Sequence, residues 1–186
     1  MFSVPTYIVL ELPPEIASKV SVLRSRYDSN TAKLPAEITI AGSSGIGTLA
    51  ANQNAEETIR SIQHVAHKHL PFLTAFASIE QFPNTQIFWL KPRDRKPFDA
   101  LQNAFVAAGI KFFANPFPFN PHCTISAKAT LSTRQESELR AISIPTEEFV
   151  LSTLCLYQSV QGKASLLKSF TFRSRNNREQ TTVFQK

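Results

Sequence analysis

Two short stretches hold the residues best suited to chemistry: Glu37-Ile38-Thr39-Ile40 and His122-Cys123-Thr124-Ile125. Each places a proton-transfer residue two positions before a threonine. Side chains alternate along a strand, so residues i and i+2 share a face. Glu37 and Thr39 therefore point one way, as do His122 and Thr124. Ile38, Ile40, Cys123 and Ile125 point the other way, towards an apolar core. If the fold brings the two polar faces together, one cavity holds an imidazole, a carboxyl and two hydroxyls. The imidazole can carry a proton near neutral pH. The hydroxyls can donate to the oxygens of a phosphate. Cys123 adjoins His122 but faces away from it, which argues against a Cys–His nucleophilic pair.

The elements that must position these residues form an internal repeat. Residues 7–41 read as strand, helix, turn and a strand ending Pro35-Ala36-Glu37-Ile38-Thr39-Ile40-Ala41. Residues 86–127 read the same way and end Pro121-His122-Cys123-Thr124-Ile125-Ser126-Ala127. The separation from strand start to key residue is 30 positions in the first unit (Tyr7 to Glu37) and 36 in the second (Gln86 to His122). Two such units suggest a pseudo-two-fold axis with a cleft between the halves.

Strands are expected at Tyr7–Leu12, Ile38–Ala41, Phe72–Phe82, Gln86–Leu90 and His122–Ser126, with Phe149–Gln158 and Ser165–Phe172 as a final pair. Helices are expected over Pro14–Tyr27, Ala55–Lys68, Pro97–Ala108 and Ser132–Ala141. Pro83-Asn84-Thr85 reads as a hairpin turn. Gly42–Gly47 reads as a flexible lip of the cleft, and Asn115–Pro121, with three prolines, as a rigid loop. Strands often follow one another directly, so the fold class is α+β: two largely antiparallel sheets flanking a cleft, helices outside. Residues 1–175 are expected to form one bilobal domain and 176–186 a basic tail.

Composition narrows the function classes. Hydrophobic residues make up 42% of the 186 positions and charged residues 18%, a globular balance rather than a disordered one. The two cysteines, Cys123 and Cys155, exclude a disulfide framework and a four-cysteine zinc site. No apolar run approaches the roughly 20 residues of a membrane helix. A cytoplasmic monomer is expected, with no membrane, metal or cofactor. The net charge of +6 is uneven. Residues 160–186 hold six Lys/Arg against Glu179 alone, which would help attract phosphates if that end lies near the cleft.

Several further residues are candidates for contact with a base or substrate. Trp89 and Tyr157 lie on strands that the repeat sets near the cleft, and Phe119 lies in the loop before His122. A ring at the cleft mouth can stack a nucleobase, though core packing is the plainer role for each. Arg24 and Arg26 end the first helix, where a solvated helix face stands beside phosphate contact, the latter taken for Arg26. His64, His67 and His69 crowd the end of the second helix but lack a third ligand at a telling spacing.

The paired units resemble the two His-x-Thr/Ser motifs of the 2H phosphoesterase superfamily, which includes 2′–5′ RNA ligase-like proteins and cyclic nucleotide phosphodiesterases. The resemblance spans about residues 5–172 and is carried by His122-Cys123-Thr124-Ile125 after Pro121, by Leu34–Gly42, and by the strand Tyr7–Leu12 leading into a helix. It implies a bilobal fold and metal-independent hydrolysis or ligation at a 2′,3′-cyclic phosphate or 2′–5′ phosphodiester of a nucleotide or RNA end. It implies His122 as an acid/base and Thr39 and Thr124 as phosphate ligands. Where the family has its first histidine, this chain has Glu37. An ionised carboxylate ~4–5 Å from a phosphate would repel it by roughly 3–4 kcal/mol at an effective dielectric of 20. Burial and the phosphate could raise the Glu37 pKa, so that it takes the second proton-transfer role as base, or as acid when protonated; otherwise the site is weakened, is a module that only binds RNA or nucleotide, or serves another substrate.

Overall fold

The computed structural model describes residues 1–127 and 130–174. The expected tail at 176–186 lies outside the described residues.

Strand β1 (Thr6–Glu11) leads into α1 (Pro14–Tyr27), a 3-10 turn at Thr31–Lys33, and β2 (Glu37–Ala41). Pro14 opens α1 as its first residue, where a missing N–H costs nothing. Ile16, Val20, Leu23, Arg24 and Tyr27 form the buried stripe of α1 at helical spacing. Helix α2 (Ala55–Lys68) starts where the Asn54 side chain accepts from the N–H groups of Glu56 and Glu57. Next come β3 (Phe72–Thr74), β4 (Phe76–Gln81) and β5 (Phe88–Pro92). They are followed by α3 (Lys96–Ala107), which buries Phe98, Leu101 and Phe105. Strand β6 (Cys123–Ser126), α4 (Thr133–Ala141), β7 (Phe149–Leu151), β8 (Thr153–Val160) and β9 (Lys163–Thr171) complete the order. Ser132 and Gln135 cap α4 reciprocally.

The two repeated units occupy matching places. One sheet runs β2-β1-β8-β9 and another β4-β5-β6, so β1 and β5 each lie beside the motif strand of their own unit. All pairings are antiparallel. The motif strands β2 and β6 approach each other across the two sheets, and the helices cross over: α1 packs by β6 and α3 by β2. The core lies between these layers. Ile38, Ile40, Cys123 and Ile125 are all fully buried in it, on the far side of their strands from Glu37, Thr39 and Thr124.

Three expectations need correction. The run 72–82 is two strands, and so is 149–158. Chain direction changes partner at Ala75 and at Ser152, so that β3 and β7 pair with each other as a third, two-stranded sheet. The freed carbonyls are taken up by Arg93 N–H at Ala75 and Phe172 N–H at Ser152, both at 2.8 Å. The 42–47 loop is held rather than loose. Gly45 N–H donates to the Phe117 carbonyl (2.8 Å), Asn115 Nδ2 to the Gly42 carbonyl (2.8 Å), and Asn120 N–H to Ser44 Oγ (3.3 Å). Gly45 has φ +67°, and a Cβ there would stand 2.1 Å from Gln102 Nε2, so the position requires glycine. The loop after one motif strand is thus tied to the loop before the other. No helix among the described residues is long and apolar enough to cross a membrane.

Candidate active site

A cavity of about 180 Å³ opens between β2 and β6, lined by Glu37, Thr39, His122 and Thr124 together with Tyr7 and Arg24. Thr31, Leu34, Pro35 and Ala127 complete its lining. A larger hollow of about 800 Å³ lies beside the start of α1, but it contains glutamates and no histidine. The small cavity is below the usual size of a pocket for a whole drug-sized ligand and suits a single phosphoryl group.

His122 precedes β6 and is 8% exposed. Its Nδ1 is 2.6 Å from the Asn120 carbonyl oxygen. A carbonyl only accepts, so Nδ1 carries the hydrogen and Nε2 keeps its lone pair. The ring is wedged edge-on between Phe82 (5.1 Å between centroids, 85°) and Trp89 (5.6 Å, 64°). Burial among these rings lowers the imidazole pKa, with the Asn120 carbonyl pulling partly the other way. At neutral pH the ring is an uncharged base.

Glu37 shows the opposite behaviour. Burial pushes its carboxyl up to about 8; the Arg24 charge opposes this, Glu11 adds to it, and hydrogen bonding to the Thr39 hydroxyl opposes it. Its Oε2 is buried without a hydrogen-bond partner. Glu37 is therefore a neutral carboxylic acid at pH 7, with a polar atom left over. The repulsion that an anion would exert on a phosphate is absent in this state. Tyr7, on the neighbouring strand, has its hydroxyl pKa raised by burial and by Glu37, so it too stays uncharged.

A family model for the 2′–5′ RNA ligase superfamily matches residues 12–163. The chain belongs to this superfamily. Solved structures agree on the fold. A phosphoesterase crystal structure is 19% identical, with a TM-score of 0.59, covering 92% of this chain and 99% of the other. E. coli LigT complexed with 3′-AMP gives 19%, 0.59, 92% and 99%. A protein of Thermus thermophilus gives 17%, 0.61, 92% and 99%. A search of curated proteins finds no match.

Within this member of the 2′–5′ RNA ligase superfamily, the remaining candidates are placed unevenly. Trp89 is 5% exposed and packs on His122, with its indole N–H buried and unpartnered. Tyr157 is 6% exposed and stacks on Tyr7 at 5.9 Å, one residue removed from the cavity wall. Phe119 packs against the core, and its carbonyl accepts from Arg95, outside the cavity lining. Arg26 is exposed, 3.9 Å from Glu138, and lines a different hollow. Arg24, read beside it as part of a solvated helix face, is instead 2% exposed and on the cavity wall. Its place in the stripe Ile16, Val20, Leu23, Tyr27 was the available signal. Tyr7 was also missed; it lies on β1, which pairs with β2. Among the described residues no group of three or more His, Cys, Asp or Glu could hold a metal ion, His64, His67 and His69 included.

Proposed function

We propose that this protein is a phosphoesterase acting on a 2′,3′-cyclic phosphate or a 2′–5′ phosphodiester of a nucleotide or RNA end. The observation that carries the reading is the pairing of opposite protonation states in one small cavity. His122 is a neutral base and Glu37 a neutral acid, and two threonine hydroxyls lie between phosphate-sized walls.

In hydrolysis, His122 Nε2 takes a proton from water as the water oxygen bonds to phosphorus. The bond from phosphorus to the ribose oxygen breaks, and Glu37 gives its proton to that oxygen. The step leaves an imidazolium and a carboxylate, and the proton returns through solvent. Thr39 and Thr124 donate to the non-bridging oxygens and hold the phosphorus in line. Positioning and charge stabilisation supply most of the acceleration. Ligation follows the same path with the hydroxyl of a second RNA end in place of water: its oxygen bonds to phosphorus as His122 takes its proton, the bond from phosphorus to one ribose oxygen of the cyclic phosphate breaks, and Glu37 protonates that oxygen. The reading takes no metal.

The test is hydrolysis of a panel of 2′,3′-cyclic mononucleotides across pH. Turnover requires His122 deprotonated and Glu37 protonated. The rate falls on the acid side below the ordinary imidazole range, because the His122 pKa is lowered, and on the alkaline side at about 8. A profile still rising well above pH 8 rules out Glu37 as the acid. The replacement of an imidazole by Glu37 favours one other reading, a binding module for nucleotide or RNA. Tight binding of 3′-AMP with no turnover on any member of the panel would select it.

A further inference from the structure

We propose that Arg24 is the positioning residue of this site: one guanidinium grips backbone on both sides of the cleft and sets how the Glu37–Thr39 face meets the His122–Thr124 face. The proposal rests on the reading above, that both faces act on one phosphoryl group.

Arg24 projects from the last turn of α1, which belongs to the first unit but packs by β6 of the second. Nε donates to the Thr124 carbonyl at 2.8 Å, within β6. Nη1 donates to the carbonyls of Leu34 and Pro35, both at 3.0 Å, in the segment that enters β2, with the Thr31 carbonyl at 3.5 Å. Nη2 reaches Cys123 Sγ at 3.8 Å. One side chain therefore holds the approach to the first motif and the middle of the second. Asp28, one turn on, adds a parallel tie: its carboxylate accepts from Ala127 N–H at 2.9 Å, just past β6, and from Thr31 N–H at 3.0 Å.

A packing role alone does not account for this residue. The neighbouring stripe positions are Ile16, Val20 and Leu23, and an apolar side chain would fill the space without desolvating a charge. It would also leave strand and loop carbonyls unpaired on both sides of the cleft. The planar fork, with donors in fixed directions, can satisfy carbonyls on two elements at once, which the single ammonium of lysine cannot copy. The same charge lies against Glu37 and restrains the rise of its carboxyl pKa. Glu11, the other charge acting on Glu37, is untouched by a change at position 24.

Arg24→Lys and Arg24→Met in the full chain separate the cases. For both, the measurements are cyclic-nucleotide hydrolysis across pH, the melting temperature, the amide NMR shifts of Thr39 and Thr124, and the Glu37 titration by carboxyl 13C NMR. Both variants are expected to lose about 10²-fold in kcat, the scale of a misplacement near 1 Å. In Arg24→Lys the Thr39 and Thr124 amides should both move, while the alkaline limb stays near its wild-type place because the charge is kept. In Arg24→Met that limb and the Glu37 titration should shift to higher pH. A folded variant with wild-type kcat, or amide shifts confined to one strand, overturns the proposal. If Arg24→Met fails to fold, the Arg24→Lys amides and kcat still decide. If the wild type turns over nothing, the proposed reaction fails, and the amide shifts and Glu37 titration still decide whether Arg24 spans the cleft.

Discussion

Replacing His122 with alanine is expected to lower kcat for a 2′,3′-cyclic nucleotide by about 10²–10⁴-fold, the usual contribution of a positioned general base. KM should change far less, because phosphate contact is assigned to Thr39 and Thr124. The reason lies in the fixed tautomer. With Nδ1 committed to the Asn120 carbonyl, Nε2 is the one ring atom able to accept a proton, and burial keeps it unprotonated at neutral pH. Among the described residues no other group on the cavity wall is a neutral base there: Glu37 is protonated, Tyr7 is a phenol and Arg24 is a guanidinium. Removing a ring packed between Phe82 and Trp89 also loosens the site. Affinity for 3′-AMP by calorimetry separates the two effects. Retained affinity with lost turnover identifies the base; retained turnover removes His122 from the mechanism.

The second large effect is expected at Glu37→Gln, and it has two signs. Glutamine matches the protonated carboxyl in shape but has no acidic proton to give, so kcat should fall by about 10²–10⁴-fold. Stability should move the other way. The folded-state pKa of about 8 lies above the ordinary value of 4.5, so the native protein binds more protons than the unfolded chain between those two points. Stability therefore declines as pH rises from about 4.5 through 8. At pH 8 and above the buried carboxyl is ionised at a cost on the order of a few kcal/mol. The variant removes that slope and should be the more stable protein in alkaline buffer. Urea unfolding at pH 5 and pH 9 measures it. Equal pH slopes in wild type and variant would falsify a protonated Glu37, since a carboxylate ionised in both states contributes no such difference.

What was readable in the sequence follows from which forces are local. Alternation along β2 and β6 is local, and it was enough to put Glu37, Thr39 and Thr124 on one side and four apolar residues in the core. The bounds of α1 and α2 were also readable, with Pro14 marking the start of α1. Partner exchange is not local. Nothing in the apolar run 72–82 says that its first residues pair with β7 and its later ones with β5. Arg24 was misread because charge on a helix usually means solvent, and only the tertiary carbonyls around it say otherwise. Arg26 and Phe119 illustrate the converse: nearness in sequence to a motif does not carry a side chain to the cavity. The 42–47 loop looked free because its anchors, Asn115, Phe117 and Asn120, lie about seventy positions further along the chain.

Trp89 is the sole tryptophan of the chain. Its indole stands edge-on to the His122 imidazole and is shielded from water. The protein therefore carries a built-in optical reporter beside the candidate site. An imidazolium beside an excited indole draws charge from it, whereas a neutral ring does not. With excitation at the long-wavelength edge, where the three tyrosines do not absorb, emission intensity should thus follow the protonation of His122. A phosphate entering the cavity would register through the same channel, so occupancy and ionisation of the site can be watched in unlabelled protein.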